Sequence, residues 1–231
     1  MRVLTAMGGA DDPYARMARH YDRVLNPVLD PVRRRIACVL ERLSCRRVLD
    51  VCCGTARQAV FLPHGVHDYT GVDISGAMLE QGMRALCKAG IRNGPCRGAA
   101  GKGEDRGAAV TLLRADGILQ PFADNTFDAA VIAFALHEKP PAEAAAVLAE
   151  SVRVARQLIV AEYTMPERVL EVPGALLMHL PERMAGRMHY RFFRSFMQAG
   201  GMQGLAHRQG LRELERHRLF YGGAAVTVYS A

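Results

Sequence analysis

The sequence predicts an α/β fold: a mostly parallel sheet of seven strands with an antiparallel edge and helices on both faces. Three observations carry that prediction. Short apolar runs alternate with stretches of helical period between residues 47 and 163. Two further β candidates then close the chain in succession, as an antiparallel edge would. Half of the 231 residues are hydrophobic and 23% are charged, enough apolar material for a substantial core.

In order along the chain, residues 11–43 read as helix, with Tyr14, Met17, Tyr21, Val24 and Leu25 at helical spacing. Pro27 and Pro31 are expected to interrupt it, after which Ile36, Val39, Leu40 and Leu43 share one face. Residues 47–51 form the first strand, followed by a Gly-containing turn and a short helical segment at 57–62. Residues 69–74 form the second strand, and Ser75 sits where the N-cap of a helix over 76–89 belongs. The glycine-rich stretch 91–109 reads as a loop or insertion. A third strand is placed at 110–114, a turn at 121–125 and the most apolar strand at 126–136. Pro140 and Pro141 open an alanine-rich helix running to Val154, and a fifth strand covers 157–163. Residues 165–201 are rich in Met, His, Arg and Phe and carry no strand signal. A helix around Gly204 and strands at 213–221 and 224–229 complete the chain. We read one domain over 1–231: a helical cap (1–45), a core (46–164), a lid (165–203) and a closing helix with strands (204–231).

The net charge of +7 is almost all arginine, since Lys88, Lys102 and Lys139 are the only lysines. The arginines are scattered, densest at 33–35, which argues against a nucleic-acid partner and leaves at most a peripheral membrane contact. The longest apolar run, 129–136, is too short to cross a bilayer, and the first residues lack the apolar stretch of a signal peptide. A cytoplasmic location is expected. Cys38, Cys45, Cys52, Cys53, Cys87 and Cys96 form no CxxC pair and have no His cluster at zinc spacing. They are expected to be reduced, mostly buried thiols, and no metal is expected.

The chemistry concentrates at Val48-Leu49-Asp50-Val51-Cys52-Cys53-Gly54-Thr55-Ala56, an apolar strand running into a tight turn of small residues. Asp73 ends the next strand, nineteen residues after Gly54. Such a turn lets backbone approach a ligand, and a carboxylate at the tip of a neighbouring strand can accept both hydroxyls of a ribose. A dinucleotide fingerprint would need GxGxxG, and ATP a GxxxxGK[ST] loop; neither is present. A nucleotide-type ligand without a diphosphate cradle is favoured.

The segments DVCCGTA (50–56) and GVDIS (71–75) resemble the first two motifs of class I S-adenosylmethionine-dependent methyltransferases. RADGILQPFADNTFDAAVIAFAL (114–136), ARHYDRVLN (18–26) and FYGGAAVTVY (220–229) resemble the ubiquinone/menaquinone biosynthesis C-methyltransferase branch. The resemblance covers roughly 14–164 and 204–229. It implies a Rossmann-like sheet, S-adenosylmethionine as cofactor, and transfer of its methyl group to a small, fairly apolar acceptor, a quinol or phenol-like ring first. It implies that Asp50 orients the turn, that Cys52, Cys53, Gly54 and Thr55 approach the methionine part, and that Asp73 takes the ribose. Asp116 and Gly117 would hold the adenine edge, with Tyr21, Ile74 and Ala133 at further cofactor positions. Where the quinone branch has an Arg-Asn pair after the fourth strand, this chain has His137-Glu138.

Other readings stand beside these. Asp73 could merely cap the strand edge, and Cys52 and Cys53 suit packing better than nucleophilic or soft-metal chemistry. His137, with a pKa near neutrality, could take a proton from the acceptor, oriented by Glu138, or the two could be a helix-entry pair before Lys139-Pro140. His179, His189 and Tyr190 are second-rank candidates. Met178, Met184, Met188, Phe192, Phe193 and Phe196 suggest an apolar acceptor pocket. Two other functions fit the motifs: an RNA methyltransferase, or a non-catalytic S-adenosylmethionine-binding protein. A homodimer is compatible with all of them.

Overall fold

The structure is a computed structural model that describes residues 18–91 and 108–230. The expected loop at 91–109, with Cys96, falls almost entirely outside the described residues, as do Tyr14 and Met17. Helix α1 (Ala18–Arg42) is continuous through both prolines, which corrects the expected interruption. Pro27 and Pro31 stand four residues apart on its exposed side, where water can reach the carbonyls that their missing N–H groups leave unbonded. The opposite face buries Val32, Ile36, Val39 and Leu40 at the helical period.

Seven strands follow: β1 (Arg47–Val51), β2 (Asp68–Asp73), β3 (Ala109–Arg114), β4 (Phe127–Ala133), β5 (Ala155–Tyr163), β6 (Arg212–Leu219) and β7 (Ala224–Ser230). They form one sheet in the order β3-β2-β1-β4-β5-β7-β6. β1 and β3 both run parallel to β2, while β7 is antiparallel to β5 and to β6. The expected architecture is the observed one. The chain forms two compact units, Met1–Gly117 with Thr126–Ala129, and Ile118–Asn125 with Ala130–Ala231.

In the first unit, Val51 pairs with Val72 and Asp73 with Arg114, so three parallel strands end side by side. A 3-10 turn, Arg57–Phe61, and helix α2 (Gly76–Lys88) complete it. Ser75 is the N-cap of α2, its hydroxyl accepting from Met78 N at 3.1 Å. Helix α1 braces the turn after β1. Arg57 donates to both oxygens of Asp30 at 3.0 and 2.8 Å, and Arg33 adds a bond at 2.7 Å. Hydrogen bonding from Arg57, ahead of that from Arg33, holds the Asp30 carboxyl below its usual pKa.

In the second unit, β4 stops at Ala133 rather than at 136, because Phe134 takes a left-handed φ of 51° that ends the extended run. Helix α3 (Pro141–Val154) starts on its proline as expected. The segment without strand signal folds as helices α4 (Val172–Leu177), α5 (His179–Met184) and α6 (Arg187–Gln198), followed by α7 (Gly201–Arg208). β5 is apolar because it is enclosed: Leu158, Ile159, Val160 and Ala161 are all buried. Among the described residues, no helix is long and apolar enough to cross a membrane.

Candidate functional site

The first constellation lies where β1, β2 and β3 end. Cys52, Gly54 and Ala56 have φ of 56°, 55° and 51°, so the chain after β1 folds back through three left-handed residues. The small residues of the motif are what make this turn accessible. Asp73 fixes it: Oδ2 accepts from Gly54 N at 2.7 Å and Oδ1 from Ser75 N at 2.8 Å. Cys53 N donates to Val72 O at 3.0 Å. One carboxylate thus ties the β1 turn to the start of α2. Helix α2 presses on the turn through Gly82, where a Cβ would come within 2.5 Å of the Thr55 carbonyl oxygen.

Asp50 is buried beneath this turn, and the Tyr69 hydroxyl donates to its Oδ2 at 2.5 Å. Burial pushes the Asp50 carboxyl up to about 7, against the lowering effect of the Tyr69 bond. The sign of the resulting pH dependence follows. Below about pH 4 the group is protonated whether the chain is folded or unfolded. Between about pH 4 and 7 the folded chain binds more protons than the unfolded one, so stability falls as pH rises, and the loss is complete above about 7. Asp50→Asn should flatten that slope in melts taken between pH 4 and 8. An unchanged slope would show that Asp50 is not its source.

Burial, followed by the neighbouring Asp50 and Asp73 charges, pushes the Cys53 thiol well up. A group held as thiol is a poor nucleophile and metal ligand, in line with packing. Its Sγ sits 2.9 Å from where a Gly71 Cβ would stand. Among the described cysteines Cys45 is buried, Cys52 and Cys53 are part-buried, and Cys38 and Cys87 are exposed, which corrects the expectation of mostly buried thiols. Ile74 is 55% exposed and its carbonyl accepts from Arg114 Nε at 2.9 Å. Asp116 and Gly117 follow the end of β3, the former exposed and the latter buried. The unit therefore gathers Asp50, Cys52, Cys53, Gly54, Thr55, Asp73, Ile74, Asp116 and Gly117 at one sheet edge. Tyr21 lies on α1, with its side chain outside the described residues.

The second constellation belongs to the other unit, which also holds Ala133, the half-buried last residue of β4. His137 is 3% exposed and Glu162 fully buried. Glu162 accepts from His137 Nδ1 at 2.8 Å, Leu136 N at 3.1 Å, His137 N at 3.4 Å and Tyr163 N at 2.8 Å. His137 Nε2 lies 3.4 Å from Glu182 Oε2, and that oxygen is 2.5 Å from His189 Nε2. The Tyr163 hydroxyl donates to the other Glu182 oxygen at 2.6 Å, and Glu138 Oε2 stands 3.7 Å from His189 Nδ1. The rings of Tyr163 and Phe193 pack edge-on against His137.

Burial opposes charge on His137, yet the Glu162 and Glu182 carboxylates outweigh it and raise its pKa to about 10. The near-neutral value expected from the sequence does not describe this environment. Glu182 is held low, burial being overcome by its bonds with His137 and His189. Sequence reading named His137, Glu138 and His189 but missed Glu162, Tyr163 and Glu182. A signal existed for one of them: Glu162 is the lone charge in the run Leu158-Ile159-Val160-Ala161-Glu162-Tyr163. Of the apolar lid residues, Phe193 and Phe196 are buried, whereas Met184 and Met188 are exposed.

Residues 49–158 match the family model described as a methyltransferase domain. This match, over just under half of the chain, bears out the resemblance to the S-adenosylmethionine-dependent methyltransferase class drawn from the motifs. Within that class, the chain is similar to the demethylmenaquinone methyltransferase of Anoxybacillus flavithermus, 30% identical over 152 residues covering 62% of this chain and 56% of that one. The demethylmenaquinone methyltransferase of a Parafrankia species is 37% identical over 160 residues, 66% and 62% of the two chains. The matched region thus spans between half and two thirds of these relatives' length. A solved structure from Methanococcus maripaludis, described as a putative S-adenosylmethionine-dependent methyltransferase, shares the fold with a TM-score of 0.61 at 13% identity, covering 97% of both chains.

Proposed function

We propose that this chain moves the methyl group of S-adenosylmethionine to a small, fairly apolar acceptor bearing a ring hydroxyl, a quinol or other phenol first. The observation that carries the donor half is the Asp73 carboxylate, bonded at once to Gly54 N and Ser75 N. An ionised carboxylate offers about four acceptor positions, so holding the turn and accepting ribose hydroxyls are compatible tasks. Cys52, Cys53, Gly54 and Thr55 offer backbone to the methionine part. Ile74 supplies an apolar face for the adenine, whose edge is met by Asp116 and Gly117. Asp50, beneath the turn, positions it.

The acceptor half falls to His137 and Glu138, in the segment where the quinone branch carries a different pair. The sulfonium is already activated, so the protein's task is alignment and exclusion of water. The carbon–sulfur bond breaks with its electrons going to sulfur as the acceptor forms its bond to the methyl carbon. The acceptor also gives up a proton. His137 carries its own proton at neutral pH, so it steadies the developing oxyanion, and Glu138 receives what the acceptor releases. Residues 165–203 supply the acceptor-recognition surface.

His137→Ala is expected to lower methyl transfer about 100-fold or more, the loss of one preorganised donor, with calorimetric affinity for the donor unchanged. Labelled-methyl assays over quinols, phenols, thiols and RNA make the comparison. Equal turnover by variant and wild type would remove His137 from the reaction, and preference for RNA would overturn the acceptor class.

A further inference from the structure

We infer that His137 Nε2, the Glu182 carboxylate and His189 Nε2 form a binding site for a divalent first-row transition ion, zinc foremost. The three donor atoms lie within 4.8 Å of one another. They come from three places: the turn after β4, helix α5 and helix α6. Two imidazoles and one carboxylate are a donor set of catalytic zinc sites, and three protein ligands leave a coordination position open. The absence of thiolate and the mix of nitrogen and oxygen also suit neighbouring ions such as cobalt, iron and manganese.

The arrangement behind the donors carries the inference beyond a simple ion pair. Metal-binding imidazoles use their second nitrogen on a carboxylate or carbonyl, which fixes ring and tautomer. His137 does this with Glu162 at 2.8 Å. His189 turns Nδ1 toward Glu138 at 3.7 Å. Glu182 has the Tyr163 hydroxyl on its far oxygen at 2.6 Å, leaving the near one toward both histidines. His137 and Glu182 thus each have a hydrogen-bonded outer partner, and His189 faces a carboxylate just beyond hydrogen-bond reach.

Spacing agrees. Ligand bonds of about 2.0–2.2 Å hold donors roughly 3 Å apart. His137 Nε2 and Glu182 Oε2 stand 3.4 Å apart, and the His189–Glu182 separation of 2.5 Å needs to open by under about 1 Å. Glu138, Glu162 and Glu182 make the surroundings anionic, which a dication would balance. What fills the open position rests on the methyl-transfer reading: the ion displaces the His137 Nε2 proton and takes over the imidazolium's place beside the acceptor's hydroxyl oxygen, polarising it as a Lewis acid does.

The test is metal loading of the full chain. Chelator-treated protein is incubated with Zn²⁺ or Co²⁺ alone, desalted and analysed for metal, and the cobalt form is examined for visible d–d absorption. The expected result is one ion per chain with a nitrogen–oxygen cobalt spectrum. Tyr163→Phe should weaken binding about 10- to 100-fold, as loss of an outer partner does, and His189→Ala and Glu182→Gln should weaken it further. Should Glu182→Gln fail to fold, wild type and His189→Ala, whose ring is only half-buried, still decide. Wild type that keeps no stoichiometric ion overturns the site. So does undiminished loading of a folded His189→Ala, which would place the ion on the exposed cysteines or elsewhere. Calorimetry with S-adenosylmethionine separates the two proposals. Ion loading without donor binding would sink the methyl-transfer reading and leave the metal site standing; the reverse result would do the opposite.

Discussion

Asp73→Ala is expected to weaken S-adenosylmethionine binding about 100-fold or more while the chain still folds. Hydrogen bonds to a charged acceptor contribute about 1.5–3 kcal/mol each, and 100-fold corresponds to about 2.7 kcal/mol. The variant would lose the proposed ribose contacts and, with them, the bond that holds Gly54 N at 2.7 Å. Asp73→Asn separates the two effects. Its amide oxygen can serve one backbone N–H, but its NH₂ group cannot accept from the other, so it should fall between alanine and wild type. Calorimetric titration reads the affinity and a thermal melt checks the fold. Wild-type affinity in the alanine variant would reduce Asp73 to a strand-end cap and remove the basis for the donor site.

The second large effect is expected at Glu162. This fully buried carboxylate serves three backbone N–H groups and the His137 ring. Glu162→Ala would strand those donors and leave His137 with Glu182 as its remaining acid. Breaking a buried ion pair by removing one partner costs about 3–5 kcal/mol. For a chain of this size that corresponds to a fall of roughly 6–20 °C in melting temperature. Glu162→Gln keeps the shape and one oxygen, so a smaller fall is expected. A loss under about 1 kcal/mol in the alanine variant would mean that water replaces the carboxylate and that the cluster is less tightly built than its distances indicate.

The two constellations differed in how readily they could be read from sequence, and the reason is chain distance. The proposed donor site is local: a strand, its turn and the tip of the next strand lie within about twenty-five residues, and strand period, small residues and one acid mark them all. Ser75 was legible as an N-cap because capping depends on its immediate neighbours. Helix α1 was not, because interior proline normally breaks helices. Here both prolines fall on the exposed side, which only the burial of Ile36 and Leu40 defines. The cluster around His137 draws on the turn after β4, the end of β5, and α5 and α6. The partners of His137 are 25 and 45 residues away in the chain, so no local pattern could have paired them, and the charge state of His137 was misjudged with them.

The left-handed residues Cys52, Gly54 and Ala56, held by Asp73 and pressed by α2, mean that the socket is cut before its guest arrives. Little conformational freedom is left there to be surrendered on association, so free and liganded forms should superimpose closely along residues 52–56. Amide exchange at Gly54 should already be slow in the unliganded protein.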